Sequence, residues 1–320
     1  MLEQFLTMLP QVVTDGLTLG FVYAVVALGY TMIYGVLEFI NFAHSEIFMF
    51  GAFAGVEVLL ALKGAGLTAS APALVLLLIA VLVAMLLSGL LGATVERVAY
   101  RPLRKAPRLV PLISAIGVSF FLQDAVRLAE GLWHNAFYRN APVLFDKVIP
   151  LAKNLDLPLK SLVVVIGAVL MMALLTAFVN RTKLGMAIRA VAQDQPTASL
   201  MGVNVDGIIS LTFFIGAALG GAAGVLFGMQ YSLVHPYVGF ILGLKAFTAA
   251  VFGGIGNIPG AMLGGVLLGV FESFGSAYLS LFTNNVFRAE YKDVFAFIIL
   301  IGVLIFKPSG LLGEVVGEKV

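Results

Sequence analysis

The sequence predicts an all-α fold, a polytopic transmembrane helical bundle that crosses a bilayer about eight to ten times. Three observations carry this. Hydrophobic residues make up 61% of the 320 and charged ones 11%, where soluble domains carry roughly a quarter charged. Mean hydropathy is +1.06. Apolar runs long enough to cross about 30 Å of hydrocarbon alternate with short polar connections. No room remains for a soluble catalytic domain, and the residues offer no catalytic or metal-ligating set. There is no Cys, which excludes disulfides and thiolate metal sites, and the net charge of +2 favours no partner.

Glu3 precedes the first apolar run and no Lys or Arg does, so the basic region of a cleavable signal is missing and the first span, 11 to 37, is expected to be retained. Further spans are expected at 46 to 62, 71 to 95, 109 to 129, 161 to 179, 208 to 230, 238 to 253, 260 to 281 and 294 to 306. The seventh and ninth are short, so each is either tilted or re-entrant. The connection holding Arg97, Arg101, Arg104, Lys105 and Arg108 is the densest in basic residues, followed by the one with Arg181, Lys183 and Arg189. Both are expected in the cytoplasm. This places the N-terminus and the connection from 130 to 160 outside, although that outer connection also carries Arg139, Lys147, Lys153 and Lys160. Trp133, Phe137 and Tyr138 fall where an aromatic belt meets the outer interface.

Glycines recur every four residues at Gly216, Gly220, Gly224 and Gly228, and the pairs Gly16/Gly20, Gly51/Gly55, Gly239/Gly243, Gly260/Gly264 and Gly265/Gly269 repeat the spacing. Such stripes let helix backbones approach closely in lipid, either within the chain or at a seam with a second subunit. The run G-G-I-G-N-I-P-G at 253 to 260 reads as a tight turn or a broken helix. It lacks the Lys-Ser/Thr pair of a phosphate loop, and the chain has no Walker A motif. Asn257 stands where an intramembrane aspartyl protease would need an acid.

Polar residues inside such a chain mark function or interhelical contact. The segment E-F-I-N-F-A-H-S-E at 38 to 46 gathers two carboxylates, an amide, an imidazole and a hydroxyl between two spans. If it is helical, Glu38, Asn41 and Ser45 share a stripe facing a pore or a neighbouring helix, while His44 and Glu46 point elsewhere. Asn41, His44, Ser45 and Glu46 are the candidate substrate-pathway residues. Lys245 and Glu272 lie within the seventh and eighth spans and are expected to form a structural ion pair. Asp124 and Arg127, three apart, are expected to pair locally, and Glu57 to reach the outer interface. In the loop from 180 to 207, Met186 to Gln193 has helical character, Pro196 is suited to open a second short helix and Gly202 to close it. The loop is either an interfacial element that meets anionic lipid or a docking knob for a cytoplasmic partner.

G-V-L-E-F-I-N-F-A-H-S-E-I-F-M-F-G-A-F, then R-T-K-L-G-M-A-I-R-A-V-A-Q-D with A-S-L-M-G-V, then G-L-K-A-F-T-A-A-V-F-G-G-I-G-N-I-P-G appear in that order. From about Gly16 to Gly313 the chain resembles the H-type membrane permease of branched-chain amino acid (leucine/isoleucine/valine) ABC importers. Related permeases carry urea, short amides or other amino acids. One departure is Ser45, where the family more often has Gly after the His. The resemblance implies one permease domain over 1–320 in the bacterial inner membrane. It implies a second homologous permease, two cytoplasmic ATP-binding subunits and an extracytoplasmic substrate-binding protein as partners, with membrane lipid around it. No nucleic acid and no cofactor bound by this chain are implied, and the chain is not itself an enzyme. Arg189, Asp194, Gln195, Ala198 and Gly202 match the coupling segment, with Ala198 and Gly202 one turn apart for close approach to an ATPase groove. The competing reading is a secondary transporter driven by a proton or sodium gradient, with His44, Glu46 or Lys245 as the coupling site. A scaffold without transport is the third.

Overall fold

The computed structural model describes residues 2–313 apart from 105, 108, 153, 154 and 285, so the basic positions Lys105, Arg108 and Lys153 lie outside the described residues. The helices are α1 (Leu2–Leu37), α2 (Ala43–Gly64), the short α3 (Leu67–Ser70), α4 (Ala73–Val95), α5 (Leu109–His134), α6 (Leu159–Arg181), α7 (Lys183–Gln193), α8 (Gln195–Leu200), α9 (Val205–Tyr231), α10 (Val238–Gly253), α11 (Ile258–Phe282) and α12 (Lys292–Phe306). Every expected apolar segment is a helix. Among the described residues, seven helices (α1, α2, α4, α5, α6, α9 and α11) are long and apolar enough to cross a membrane. The segments singled out as short are α10 and α12, of 16 and 15 residues, spanning only about 24 Å and 22 Å.

Alternation of direction puts the connections 38–42, 96–108, 182–204, 254–257 and 307–313 on one face, and contacts across the bundle agree. Gln195 Nε2 donates to the Val36 carbonyl at 2.8 Å, Arg104 pairs with Asp206 at 2.6 Å, and the Leu311 and Leu312 amides donate to the Phe252 and Gly253 carbonyls at 2.8 and 2.9 Å. The last pair covers the end of α10. The glycine-rich run is therefore a tight turn, with Gly254 and Gly256 at φ 109° and 90°, and Asn257 caps α11 by accepting from the Gly260 amide. The two most basic connections share this face, which the charge asymmetry assigns to the cytoplasm. On the opposite face, β1 (Arg139–Asn140) pairs antiparallel with β4 (Leu233–Val234), and β2 (Val148–Ala152) with β3 (Leu155–Pro158).

The bundle is organised around α1 and α9, whose most apolar windows are 83% and 78% buried against 22% for α5 and α6. Small residues explain this centre. A Cβ on Gly20 would lie 2.6 Å from the Val266 carbonyl oxygen of α11, and one on Gly51 would lie 2.3 Å from the Gly221 Cα of α9. Backbones meet at these points, so dispersion contacts are dense where no hydrophobic drive exists between helices in lipid. Gly216, Gly220 and Gly224 face α1 and α2. Their stripe is internal packing in this chain.

Candidate functional site

The polar segment between the first two spans is a helix break. Leu37 ends α1, Glu38 adopts φ 55°, and α2 begins at Ala43, so the single helical stripe expected for Glu38, Asn41 and Ser45 does not form. The left-handed Glu38 interrupts the ladder. Asn41, His44, Ser45 and Glu46 are nevertheless brought together, each 4% exposed or less, where α1, α2, α5, α9 and α10 meet.

Their contacts differ. Tyr100 O–H donates to Asn41 Oδ1 at 2.7 Å. The His44 ring lies 4.7 Å from that of Tyr30, in space left by Gly29 and Gly220. Ser45 Oγ donates to the Phe42 carbonyl at 2.7 Å, and its Cβ fits only because position 243 is glycine. Ser119 O–H donates to Glu46 Oε1 at 3.3 Å. Among the described residues, Thr31 Oγ1, Asn41 Nδ2 and Glu46 Oε2 are buried and make no hydrogen bond to the protein. Each such group costs about 1–3 kcal/mol. A void of about 10 Å³ lined by Tyr30, Thr31, Asn41 and Phe247 lies beside them.

Further along α1, Tyr23 O–H donates to Glu272 Oε2 at 2.7 Å. Lys245 and Lys292 both reach Glu272 Oε1 at 2.9 Å, and Lys245 also lies 2.8 Å from Asp293. Lys245 and Glu272 are thus a contact pair within a four-charge network of zero net charge. Sequence reasoning missed Tyr23, Lys292 and Asp293 here. The available signal was a charged Lys-Asp pair at the very start of the last apolar segment.

The segment expected to couple to an ATPase consists of α7 and α8. Arg189 donates to the Val179 carbonyl and, at 3.2 Å, to Asn180 Oδ1, so it closes the end of α6. Asp194 caps α8 by accepting from the Thr197 amide at 3.0 Å, and Pro196 is the second residue of that helix rather than its first. Gln195 ties the element to the end of α1. Ala198 and Gly202 do not form one exposed docking face. Ala198 is buried in the chain's own core, while Gly202 is exposed at φ 84°. The exposed apolar tip is Leu200 and Met201, at 88% and 81%, which the sequence reading did not single out. Two large apolar residues beside a helix-closing glycine were the signal. Arg101 and Arg104 pair with Asp206, and Arg104 and Ser210 also bind the fully buried Glu96, fastening the basic connection to α9.

On the opposite face, Glu57 does more than reach the interface, because Arg139 pairs with it at 2.5 Å. Glu130 and His134 complete this cluster at 3.0 Å. The three ligand-type groups lie within 4.8 Å of one another, but Arg139 already supplies the positive charge between them. Arg127 lies 3.5 Å from Asp124, and Trp133, Phe137 and Tyr138 are exposed.

Residues 12–304 match the family described as the branched-chain amino acid transport system permease component. The chain is 45% identical, over 100% of both chains, to the high-affinity branched-chain amino acid transport system permease protein LivH of Escherichia coli K12. It is 46% identical, over 97% of both, to BraD of Pseudomonas aeruginosa, named for the same system. An autoinducer 2 import permease, LsrC of Klebsiella pneumoniae, is 34% identical over only 42% of this chain. No solved structure matches.

Proposed function

Because this chain belongs to the branched-chain amino acid transport permease family, we propose that it is the membrane subunit of an ATP-driven importer that carries leucine-like amino acids inward. The observation that carries this reading is the full-length relation to permeases named for that cargo, against a partial one to a permease for another. The chain is a multi-pass membrane protein, and in this reading it hydrolyses no ATP itself. Hydrolysis falls to two ATP-binding subunits docked on the face bearing α7 and α8. A second homologous permease and an external binding protein complete the assembly.

Two features support the division of labour. Leu200 and Met201 project from a short helix pair that Arg189 and Gln195 tie to α6 and α1 and Asp194 caps. An apolar knob on a fixed base suits transmission of motion from an ATPase. Asn41, His44, Ser45 and Glu46 are the pathway residues proposed for the inner half of the bundle. The unpartnered polar atoms of Asn41 and Glu46 are costly as packed here and gain partners when an inward-open state admits substrate or water.

Affinity purification from native membranes tests the assembly: nucleotide-binding subunits should accompany the chain, and their absence points to a gradient-driven transporter. For the pathway, Asn41→Leu alone leaves the Tyr100 hydroxyl without its acceptor. Adding Tyr100→Phe removes that penalty. The double variant should restore the yield of complex while uptake stays low; restored uptake would make Asn41 a packing residue only.

A further inference from the structure

A cavity of about 560 Å³ opens between α1 and α11 toward the face carrying the outer connections, lined among others by Gln11, Asp15, Tyr231, Glu272, Ser276 and Lys292. Its size lies within the range of small-molecule sites. Tyr23 and Glu272 each lie about 21 Å along their helices from the inner ends Leu37 and Ile258, so the floor sits about two-thirds of the way across the hydrocarbon.

The charges around this cavity are unequally satisfied. Glu272 is saturated by Tyr23, Lys245 and Lys292. Asp15 is exposed to the cavity, and among the described residues it has no cation in contact, only the Gln11 amide at 3.0 Å. The Lys292 side chain is 38% exposed and, among the described residues, its ion pair is with Glu272, so its three-donor ammonium has capacity left. Met8, Val12 and Leu19 supply an apolar wall. One free anion, one cation with spare donors and an aliphatic surface are complementary to a zwitterion with a branched apolar side chain.

We infer that this cavity is the outward-facing vestibule of the transport path, in which Asp15 receives the ammonium group and Lys292 the carboxylate of the amino acid released from the external receptor. The assignment rests on the importer reading above and adds the site at which the cargo is first held. It also joins the two polar regions. Tyr23, buried behind Glu272 and bonded to it, lies two turns from Tyr30 on the same face of α1, and Tyr30 packs on His44.

The absence of native cysteine permits a direct test in the assembled complex, reconstituted right side out with its ATP-binding subunits and binding protein. An impermeant thiol reagent added outside should modify Ser276→Cys and stop leucine uptake. Leu82→Cys, exposed on the lipid-facing side of α4, should stay unlabelled. Ser276→Cys that is unreactive in the complex, as it would be beneath a second permease, or that transports normally after modification, overturns the vestibule. Asp15→Asn should raise the KM for leucine about tenfold to a hundredfold, the worth of one hydrogen bond to a charged group, and Asp15→Glu should recover most of it. An unchanged KM in Asp15→Asn, with the normal amount of complex recovered, overturns the zwitterion assignment. Wild-type complex that takes up no leucine refutes the importer reading, and the labelling pattern then still decides whether the cavity is open.

Discussion

Replacing Glu272 by Leu removes the carboxylate shared by Tyr23, Lys245 and Lys292, and the structure lets the cost be compared with that of removing one of its partners. Glu272 is 2% exposed. Without it, Lys245 and Lys292 lose their shared acceptor and Lys245 keeps Asp293, and breaking a buried pair from this side costs about 3–5 kcal/mol. Lys245→Leu is milder. Glu272 keeps Lys292 at 2.9 Å and the Tyr23 hydroxyl at 2.7 Å, and only Asp293, 35% exposed, loses its partner. That loss should stay below about 3 kcal/mol. The sequence alone makes the two residues equal partners; the network gives the greater weight to the acid. In the double variant Lys292 and Asp293 remain as one charge of each sign near the cavity mouth, so Lys245→Leu should rescue Glu272→Leu by at least about 1 kcal/mol. The assay is the fraction of monodisperse protein recovered after detergent extraction and graded heating, for both single variants and the double. Equal losses in the single variants, or additive losses in the double, would refute the shared-acceptor geometry.

Other outcomes follow from single contacts. Gly221→Leu should abolish folded protein, because even a Cβ there would lie 2.5 Å from Ser88 Oγ and 2.7 Å from the Ala84 carbonyl oxygen, whereas Gly117→Ala, with open space around it, should express normally. Leu200→Asp and Met201→Asp should leave the chain in the membrane but lower uptake and substrate-stimulated ATP hydrolysis together; normal stimulation would remove the tip from coupling. Gly202→Trp should do the same with an added loss of about 1–2 kcal/mol from forcing a side chain into left-handed backbone, seen as lower recovery than for Met201→Asp. For topology, Val143→Cys should react with an impermeant reagent in intact cells and Gln195→Cys should not; the reverse pattern would invert the assigned orientation.

The sequence conveys the helical part of the fold well because each span is a long apolar run between charged connections, and length against bilayer thickness is a strong constraint. It even marks α10 and α12 as the short members. What it conveys poorly depends on distant contacts. The strand pairing of Arg139–Asn140 with Leu233–Val234 joins segments nearly a hundred residues apart, and Arg104 finds Asp206 across a similar gap. At 38 to 46 helical periodicity fails because Glu38 takes a left-handed conformation that side-chain spacing does not announce. The candidate residues there do cluster, yet through a chain reversal rather than a shared stripe. Ala198 illustrates the limit in the α7–α8 segment: its spacing to Gly202 fits a docking face, but burial decides which side of a short helix is free, and Leu200 and Met201 hold that side.

The most direct test is leucine uptake by proteoliposomes containing this chain, its permease partner, the two ATP-binding subunits and the external binding protein, with ATP supplied on the α7–α8 face and no ion gradient imposed. The account expects accumulation that needs ATP and the binding protein and is lost with Met201→Asp. Accumulation driven by a proton or sodium gradient in the absence of ATP would contradict it.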